Sequence, residues 1–397
     1  MTDMKIGIIS LCHKNYNYGG MLQAYALPKA FEKIGVNAQQ ICYEGIKSPW
    51  NTQKHKSYLR KFFEMNMRQK RQILVIKFKE ALTKNICEEY RFTKRREKFN
   101  EFLDENIRHD KTVYVNSNID TLNEKYDAFV VGSDQVWNSF ISNMYMTLVG
   151  FAPLGKKFSY AASIAKPELD DNDRKLFGEH IDDFEKVSVR ERSAKSLLKQ
   201  ITNNPIEVVV DPVLLPGKPE WDKIAVLPKL EYKYVFGYFL GNDTSANKTL
   251  KRIMKKTELP LEMIPYTRFI YNFTDKRYAD KDLTESGPRE FVGLIKKSEY
   301  VVTDSFHAMV FAVIYHKNFI VLDREKSAKE RSMNSRIKDF LETIGLENRL
   351  VDTVKESDIL YDKIDWKQVD KKLNAIIDKS YAYLREIKEN ILGKERA

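Results

Sequence analysis

The stretch Glu299-Tyr-Val-Val-Thr-Asp-Ser-Phe-His-Ala-Met-Val-Phe-Ala-Val-Ile-Tyr-His316 joins two elements at a sharp junction. Tyr300, Val301 and Val302 form the aromatic and β-branched run expected of a buried parallel strand. From Phe306 the apolar residues continue through Met309, Val310, Val313 and Ile314, the spacing of a helix packed on a sheet. Thr303, Asp304 and Ser305 lie between them, and each is a residue type that caps helices. A strand running into a helix is the unit of a parallel α/β sheet, which places ligands outside the carboxyl ends of its strands. His307 falls in the helix's first turn, where orphan N–H groups and the helix dipole favour an anion. An imidazole beside a bound anion is suited to act as a general acid. The plainer reading is a capped core helix with an incidental histidine.

The same strand, polar junction and helix recur along the chain. Lys5–Leu11 reads as a first strand, Asn15–Gly20 as a turn, and Met21 to about Ile34 as a helix closed by Gly35 before a strand at Ala38–Tyr43. The pair Gly19-Gly20 suits a phosphate or sugar cradle, or serves only the backbone of a βα turn. Asn17 and Gln23 add polar groups toward the same cleft. Tyr126–Val131 is another strand, followed by Gly132-Ser-Asp-Gln-Val-Trp-Asn138. There Ser133, Asp134, Gln135 and Asn138 beside Trp137 suit sugar hydroxyls and ring faces, or else cap the next helix. Lys157–Ala162 and Lys186–Val189 are further strands. Arg190, at the second junction, either makes a bidentate contact to a carboxylate or phosphate or pairs with Glu191. Asp211 ends the strand beginning at Glu207, and Pro212 turns the chain there.

Residues 216–230 contain Pro216, Gly217, Pro219 and Pro228 and read as a linker. A second α/β unit follows over 231–355, with Arg324, Arg331 and Arg336 available near its cleft as anion ligands. Residues 365–394 read as a long amphipathic helix crossing back toward the first unit. The expected division is an N-terminal domain (1–215) carrying a basic helical insertion at about 47–110, the linker, the second domain and C-terminal helices over 356–397.

At 397 residues the chain is long enough for two or three cores. Cys12, Cys42 and Cys87 are few and scattered, which fits a reducing compartment and no zinc spacing. No run reaches bilayer-spanning length, and the N-terminus lacks the order of a signal peptide. The net charge of +11 is local: residues 47–100 hold sixteen Lys/Arg against five Glu, and the remainder is neutral. With no accompanying nucleic-acid motif, that charge excludes general nucleic-acid binding. It points to a solvated surface, an acidic partner, or peripheral contact between residues 47–100 and an anionic membrane. The expected location is cytoplasmic, at the inner membrane face.

Six motifs together resemble the polysaccharide pyruvyl transferase family. They are NYGGMLQAYAL (17–27), VVGSDQVWN (130–138), KKFSYAASIA (156–165), SVRERS (188–193), VVVDPVLL (208–215) and YVVTDSFHAMVFAV (300–313). The resemblance implies two Rossmann-like domains facing a cleft, similar to the glycosyltransferase B type. It also implies phosphoenolpyruvate as donor and a cyclic pyruvate ketal on a saccharide, free or lipid-linked, as product. His307 with Asp304 is then the candidate catalytic pair, and Arg190, Ser305 and Arg336 are candidate donor ligands. Asn17, Gly19, Gly20, Gln23, Ser133, Asp134, Gln135, Trp137, Asn138 and Asp211 are candidate acceptor ligands. The chemistry demands no metal or organic cofactor. Better-known members carry Arg-Leu-His where this chain has Ser305-Phe306-His307, so either a donor-binding cation comes from elsewhere or the donor differs. A nucleotide-sugar glycosyltransferase and a non-catalytic saccharide-binding protein are the competing expectations.

Overall fold

The computed structural model describes residues 4–50, 86–241, 245–265, 282–323, 328–351 and 356–395. Its first sheet comprises β1 (Lys5–Ile9), β2 (Asn37–Tyr43), β3 (His109–Tyr114), β4 (Ala128–Val131) and β5 (Lys157–Ser159) in the spatial order β3-β2-β1-β4-β5. Every pairing is parallel. β6 (Val187–Val189) and β7 (Ile206–Val208) form a short parallel pair that isolated bridges from Phe158 and Ala162 join to its edge. The second sheet is also parallel. It comprises β8 (Val235–Tyr238), β9 (Leu261–Ile264), β10 (Tyr300–Thr303), β11 (Asn318–Leu322) and β12 (Leu350–Val351), ordered β12-β11-β10-β8-β9.

Both sheets are doubly wound, and each reverses its strand order once. The reversal lies between β1 and β4 in the first sheet and between β8 and β10 in the second. A doubly wound sheet binds its ligands at the carboxyl end of that switch point. Here the two switch points face each other, so the loops after β1, β4, β8 and β10 converge on one cleft.

Six helices position the cleft: α1 (Tyr18–Lys33), α2 (Ile86–Asn106), α3 (Pro288–Lys297), α4 (Phe306–Ile314), α5 (Ala328–Ile344) and α6 (Trp366–Glu395). α1 begins three residues earlier than the sequence suggests, because Asn17 caps it by accepting the Gly20 N–H at 3.1 Å. Gly19 and Gly20 are therefore in the helix rather than a turn. Pro28 inside α1 cannot donate to the Ala24 carbonyl, which instead accepts from Gln40 Nε2 at 2.9 Å.

One apolar core runs without a break from the first domain into the second, while two smaller cores lie on the far faces of the sheets. Tyr18 of α1 stacks on Phe291 of α3 with ring centroids 4.5 Å apart, and its hydroxyl donates to the Ser286 carbonyl at 2.6 Å. The expected linker contains a short helix, Lys218–Ile224, whose fully buried Trp221 packs on Tyr25 and Phe311 from the two domains. It ties the domains together as well as joining them. α2 adds a second tie through the Lys98–Glu290 ion pair at 2.6 Å and the Arg95 donation to the Pro265 carbonyl at 3.0 Å. α6 returns across the first domain, where the Tyr383 hydroxyl donates to the Ser159 carbonyl and Lys388 to the Ile34 carbonyl. Much of the expected basic helical insertion, residues 51–85, lies outside the described residues. β3, which begins where the expected insertion ends, is the edge strand of the first sheet. Among the described residues no helix is long and apolar enough to cross a membrane.

Candidate active site

Ser305 is the N-cap of α4, with its hydroxyl toward the Ala308 N–H, so His307 is the second residue of the helix. The imidazole is buried and abuts the first turn of α1. A Cβ built on Gly19 would fall inside the ring, nearest to Nδ1. Glycine at 19 is required by that close approach, since its backbone is ordinary helix. The other ring edge faces Asp211: Nε2 lies 3.4 Å from Oδ2, an ion-pair separation without an aligned hydrogen bond.

Asp211 is fully buried. Its Oδ1 accepts the Val213 N–H at 3.1 Å, and its Oδ2 accepts from an Arg190 guanidinium nitrogen at 2.6 Å. Burial alone would push the Asp211 carboxyl up, but His307 and Arg190 outweigh burial and hold it well below the usual carboxylate range. Arg190 continues the chain of charges. It donates to Asp134 Oδ1 at 3.3 Å, its Nε lies 3.8 Å from Glu191, and its Cζ sits 4.8 Å over the Phe306 ring. Burial works against the Arg190 charge, yet Asp211, Asp134 and Glu191 together hold the guanidinium protonated beyond its ordinary value. Asp134 adopts a φ of 63°, a conformation that aspartate tolerates better than most residues, and its Oδ1 also lies 3.7 Å from Arg336. Charges thus alternate from Asp211 through Arg190 and Asp134 to Arg336, with the His307 imidazole set against Asp211 at one end. His307 and Arg336 come from the second domain and the other three from the first.

A cleft of about 300 Å³ opens in front of this chain. Of the residues singled out by sequence, Asn17, Gly19, Asp134, Gln135, Asn138, Ser305, His307 and Arg336 line it. Others sit behind the wall. Asp304 accepts the Leu240 and Gly241 N–H groups at 2.6 and 2.9 Å, so it closes the β8/β10 switch point, and Asp211 faces His307 instead. Gln23 accepts the buried Ser133 N–H at 2.9 Å, and the Ser133 hydroxyl donates to the Ala161 carbonyl at 2.8 Å. Gly20 packs against Asn15. Trp137 is wholly enclosed against Phe177 and Phe184, with its indole N–H on the Thr147 carbonyl at 2.9 Å. It is a core residue here, and its ring face is closed to a sugar. Arg190 contacts the carboxylates of Asp211, Asp134 and Glu191 and lines a smaller pocket beside this cleft. Arg324 and the Arg331 side chain lie outside the described residues. The cleft also takes Tyr18, Phe140, Ile141, Tyr238 and Phe291, which sequence reasoning missed. Of these, Phe140 carried a usable signal, because it lies two residues beyond the Trp137-Asn138 motif. Among the described residues no cluster of His, Cys, Asp and Glu is arranged to hold a metal ion.

No curated protein matches the chain. Among solved structures, a wall teichoic acid polymerase, TagF, is similar at 12% identity and TM-score 0.49, covering 99% of this chain and 90% of that one. The Methanocaldococcus jannaschii UDP-GlcNAc 2-epimerase, solved with UDP-GlcNAc and UDP, is similar at 14% identity and TM-score 0.45, with coverage of 93% and 98%. Acinetobacter baumannii MurG is similar at 9% identity and TM-score 0.42, with coverage of 97% and 99%. A family model described as Polysaccharide pyruvyl transferase matches residues 17–326.

Proposed function

The chain belongs to the polysaccharide pyruvyl transferase family, and from that premise we propose that it transfers the pyruvyl group of phosphoenolpyruvate to two hydroxyls of one sugar in a cell-surface polysaccharide precursor. The observation that carries this reading is His307, held between Gly19 of one domain and Asp211 beside the cleft. Phosphoenolpyruvate brings a phosphate and a carboxylate. The N-termini of α1 and α4 both open on the cleft and together favour an anion. Arg336, which borders the same cleft, is the cation assigned to the donor in place of the one missing at Ser305.

In the proposed reaction His307 delivers a proton to the vinyl carbon, which becomes a methyl group and leaves C2 cationic. A sugar hydroxyl adds to C2 and gives up its proton. The bond from C2 to the phosphate oxygen then breaks, and a second hydroxyl of the same sugar closes the ketal with loss of its proton. Of the two hydroxyl protons, one balances the new methyl group and one leaves with phosphate. Asp211 orients the imidazole and supplies a counter-charge while His307 carries a proton, as the third member does in other His–carboxylate pairs.

The test is incubation with phosphoenolpyruvate and a panel of saccharides carrying 1,2- or 1,3-diols. Phosphate release that depends on saccharide, together with a pyruvyl mass increment on the acceptor, is the expected result. Transfer that requires a nucleotide sugar and ignores phosphoenolpyruvate would overturn it.

A further inference from the structure

Glu191 is buried at the start of a short helix, Arg192–Leu198, and its carboxylate turns away from that helix. It occupies the N-cap position, yet its side chain accepts none of the N–H groups there. Oε1 instead gathers three donors from the segment after β5: the Ser163 hydroxyl at 2.8 Å, the Ile164 N–H at 3.1 Å and the Ala165 N–H at 3.4 Å. Oε2 is also buried and forms no hydrogen bond; it lies 3.8 Å from Arg190 Nε, which likewise forms none. One oxygen thus holds residues 163–165 while the other faces the run of charges. The segment it holds belongs to the cleft, because Ala165 lines it with a φ of 49°. Residues other than glycine seldom adopt that conformation, and it persists only where the surroundings enforce it. Ser163 passes the constraint on. Its N–H donates to the Asp134 carbonyl at 2.9 Å, and its carbonyl accepts the Trp137 N–H at 3.2 Å. The loop held in this way carries Asp134, Gln135 and Asn138 to the cleft.

We propose that Glu191 is the positioning residue of the acceptor wall: its carboxylate clamps residues 163–165, and Ser163 in turn sets the loop that presents Asp134, Gln135 and Asn138. A buried carboxylate needs several donors, and a carboxylate oxygen is the acceptor that takes three from consecutive residues. Without it the Ile164 and Ala165 N–H groups lose their acceptor, and the left-handed turn at Ala165 loses what enforces it. Glu191 acts only through the groups it holds, since it does not itself line the cleft. The inference rests on the pyruvyl-transfer reading for what the wall binds.

The experiment compares the full chain with Glu191→Ala, Glu191→Gln and Ser163→Ala. It reads phosphate release from phosphoenolpyruvate, with methyl glycosides of galactose, glucose and mannose as acceptor probes, and amide hydrogen exchange. Glu191→Ala is expected to raise the acceptor KM on the order of tenfold, with the phosphoenolpyruvate KM unchanged, and to speed exchange at Ile164, Ala165 and Trp137 by a similar factor. Glu191→Gln keeps a carbonyl oxygen for the three donors and is expected to return both readouts to within about threefold of wild type. Ser163→Ala retains two of the three bonds, so it falls between, and it carries the test should Glu191→Ala not fold. A residue that only supports the fold would lower the melting temperature without a selective rise in acceptor KM, and that result would overturn the proposal. Equal impairment of Glu191→Ala and Glu191→Gln would overturn it too, as would wild-type exchange at Ile164 and Ala165 in both Glu191→Ala and Ser163→Ala. Wild type that releases no phosphate with any probe counts against the pyruvyl-transfer reading, and the exchange rates then decide the clamp alone.

Discussion

The Nε2 of His307 lies 3.4 Å from Oδ2 of Asp211, and the two residues belong to different domains. The candidate acid and its partner thus meet only when the domains are docked, and the docking is itself extensive, through Tyr18, Trp221 and α6. Replacing Asp211 by asparagine preserves shape while removing the counter-charge. The expected outcome for Asp211→Asn is a fall in kcat of about 10²–10⁴, as for removal of a general-acid partner. Because Arg190 loses its nearest carboxylate, unfolding stability also falls, by up to about 3–5 kcal/mol. Steady-state kinetics beside a denaturant titration separate the two effects. His307→Gln is expected to lose turnover to a similar extent while melting within a few degrees of wild type.

Gly19→Ala isolates the contact between the domains. Alanine is better than glycine in a helix by about 1 kcal/mol, so an unhindered site would be stabilised. Here the new methyl meets the His307 ring, and the imidazole must move. The variant is expected to lose activity without gaining stability. In the double variant Gly19→Ala/His307→Ala the helix gain returns. A double-mutant cycle with additive stabilities would contradict this coupling.

Acid sensitivity follows from Asp211. Its carboxyl titrates below the ordinary value of 3.8 in the folded protein, so the unfolded chain takes up the proton first. Its stabilising contribution is complete above about pH 5, begins to decline as pH falls through the unfolded value, and is lost as pH falls on through the depressed folded value. Acid unfolding followed by circular dichroism should therefore be steeper in the wild type than in Asp211→Asn between about pH 5 and 2.

Trp137 and Arg336 make opposite predictions. Trp137→Ala opens a cavity in the core and is expected to cost about 3–5 kcal/mol, whereas Trp137→Phe keeps the acceptor KM. Arg336→Ala leaves a folded protein and raises the KM for phosphoenolpyruvate by about 10- to 100-fold, the loss of a charge-assisted contact. An unchanged donor KM would remove Arg336 from the site.

For the basic stretch 47–100 we propose contact with an anionic membrane face, on its sixteen Lys/Arg against five Glu. Sedimentation with phosphatidylglycerol vesicles should carry the protein down at low salt and release it at high salt. Neutral phosphatidylcholine vesicles should not. Exchange of Lys54, Lys56, Arg60 and Lys61 for glutamine should weaken the pelleting, and equal pelleting by all samples would end the assignment.

Local order in the chain was enough to identify both doubly wound units, because a buried parallel strand, its polar junction and its amphipathic helix are consecutive in sequence. The junction at Thr303-Asp-Ser-Phe-His307 was legible for this reason, as were the loops at Asn17 and Asp134. Which junction residue does what was not legible. Asp304 and Asp211 are both aspartates near strand ends; the β8/β10 switch point within the second domain commits Asp304 to backbone N–H groups, and docking of the domains brings Asp211 to the imidazole. Trp137 and Phe140 are aromatics three residues apart on one loop, and the turn between them buries the first and exposes the second. Sequence alone determined the type and order of the central strand–junction–helix units, since propensity and periodicity act over a few residues, but not the short edge strands β3 and β12 or the helix in the linker. Tertiary structure decided partners, exposure and the run of paired charges, since those depend on groups from about twenty to about two hundred residues apart being brought within a few ångströms.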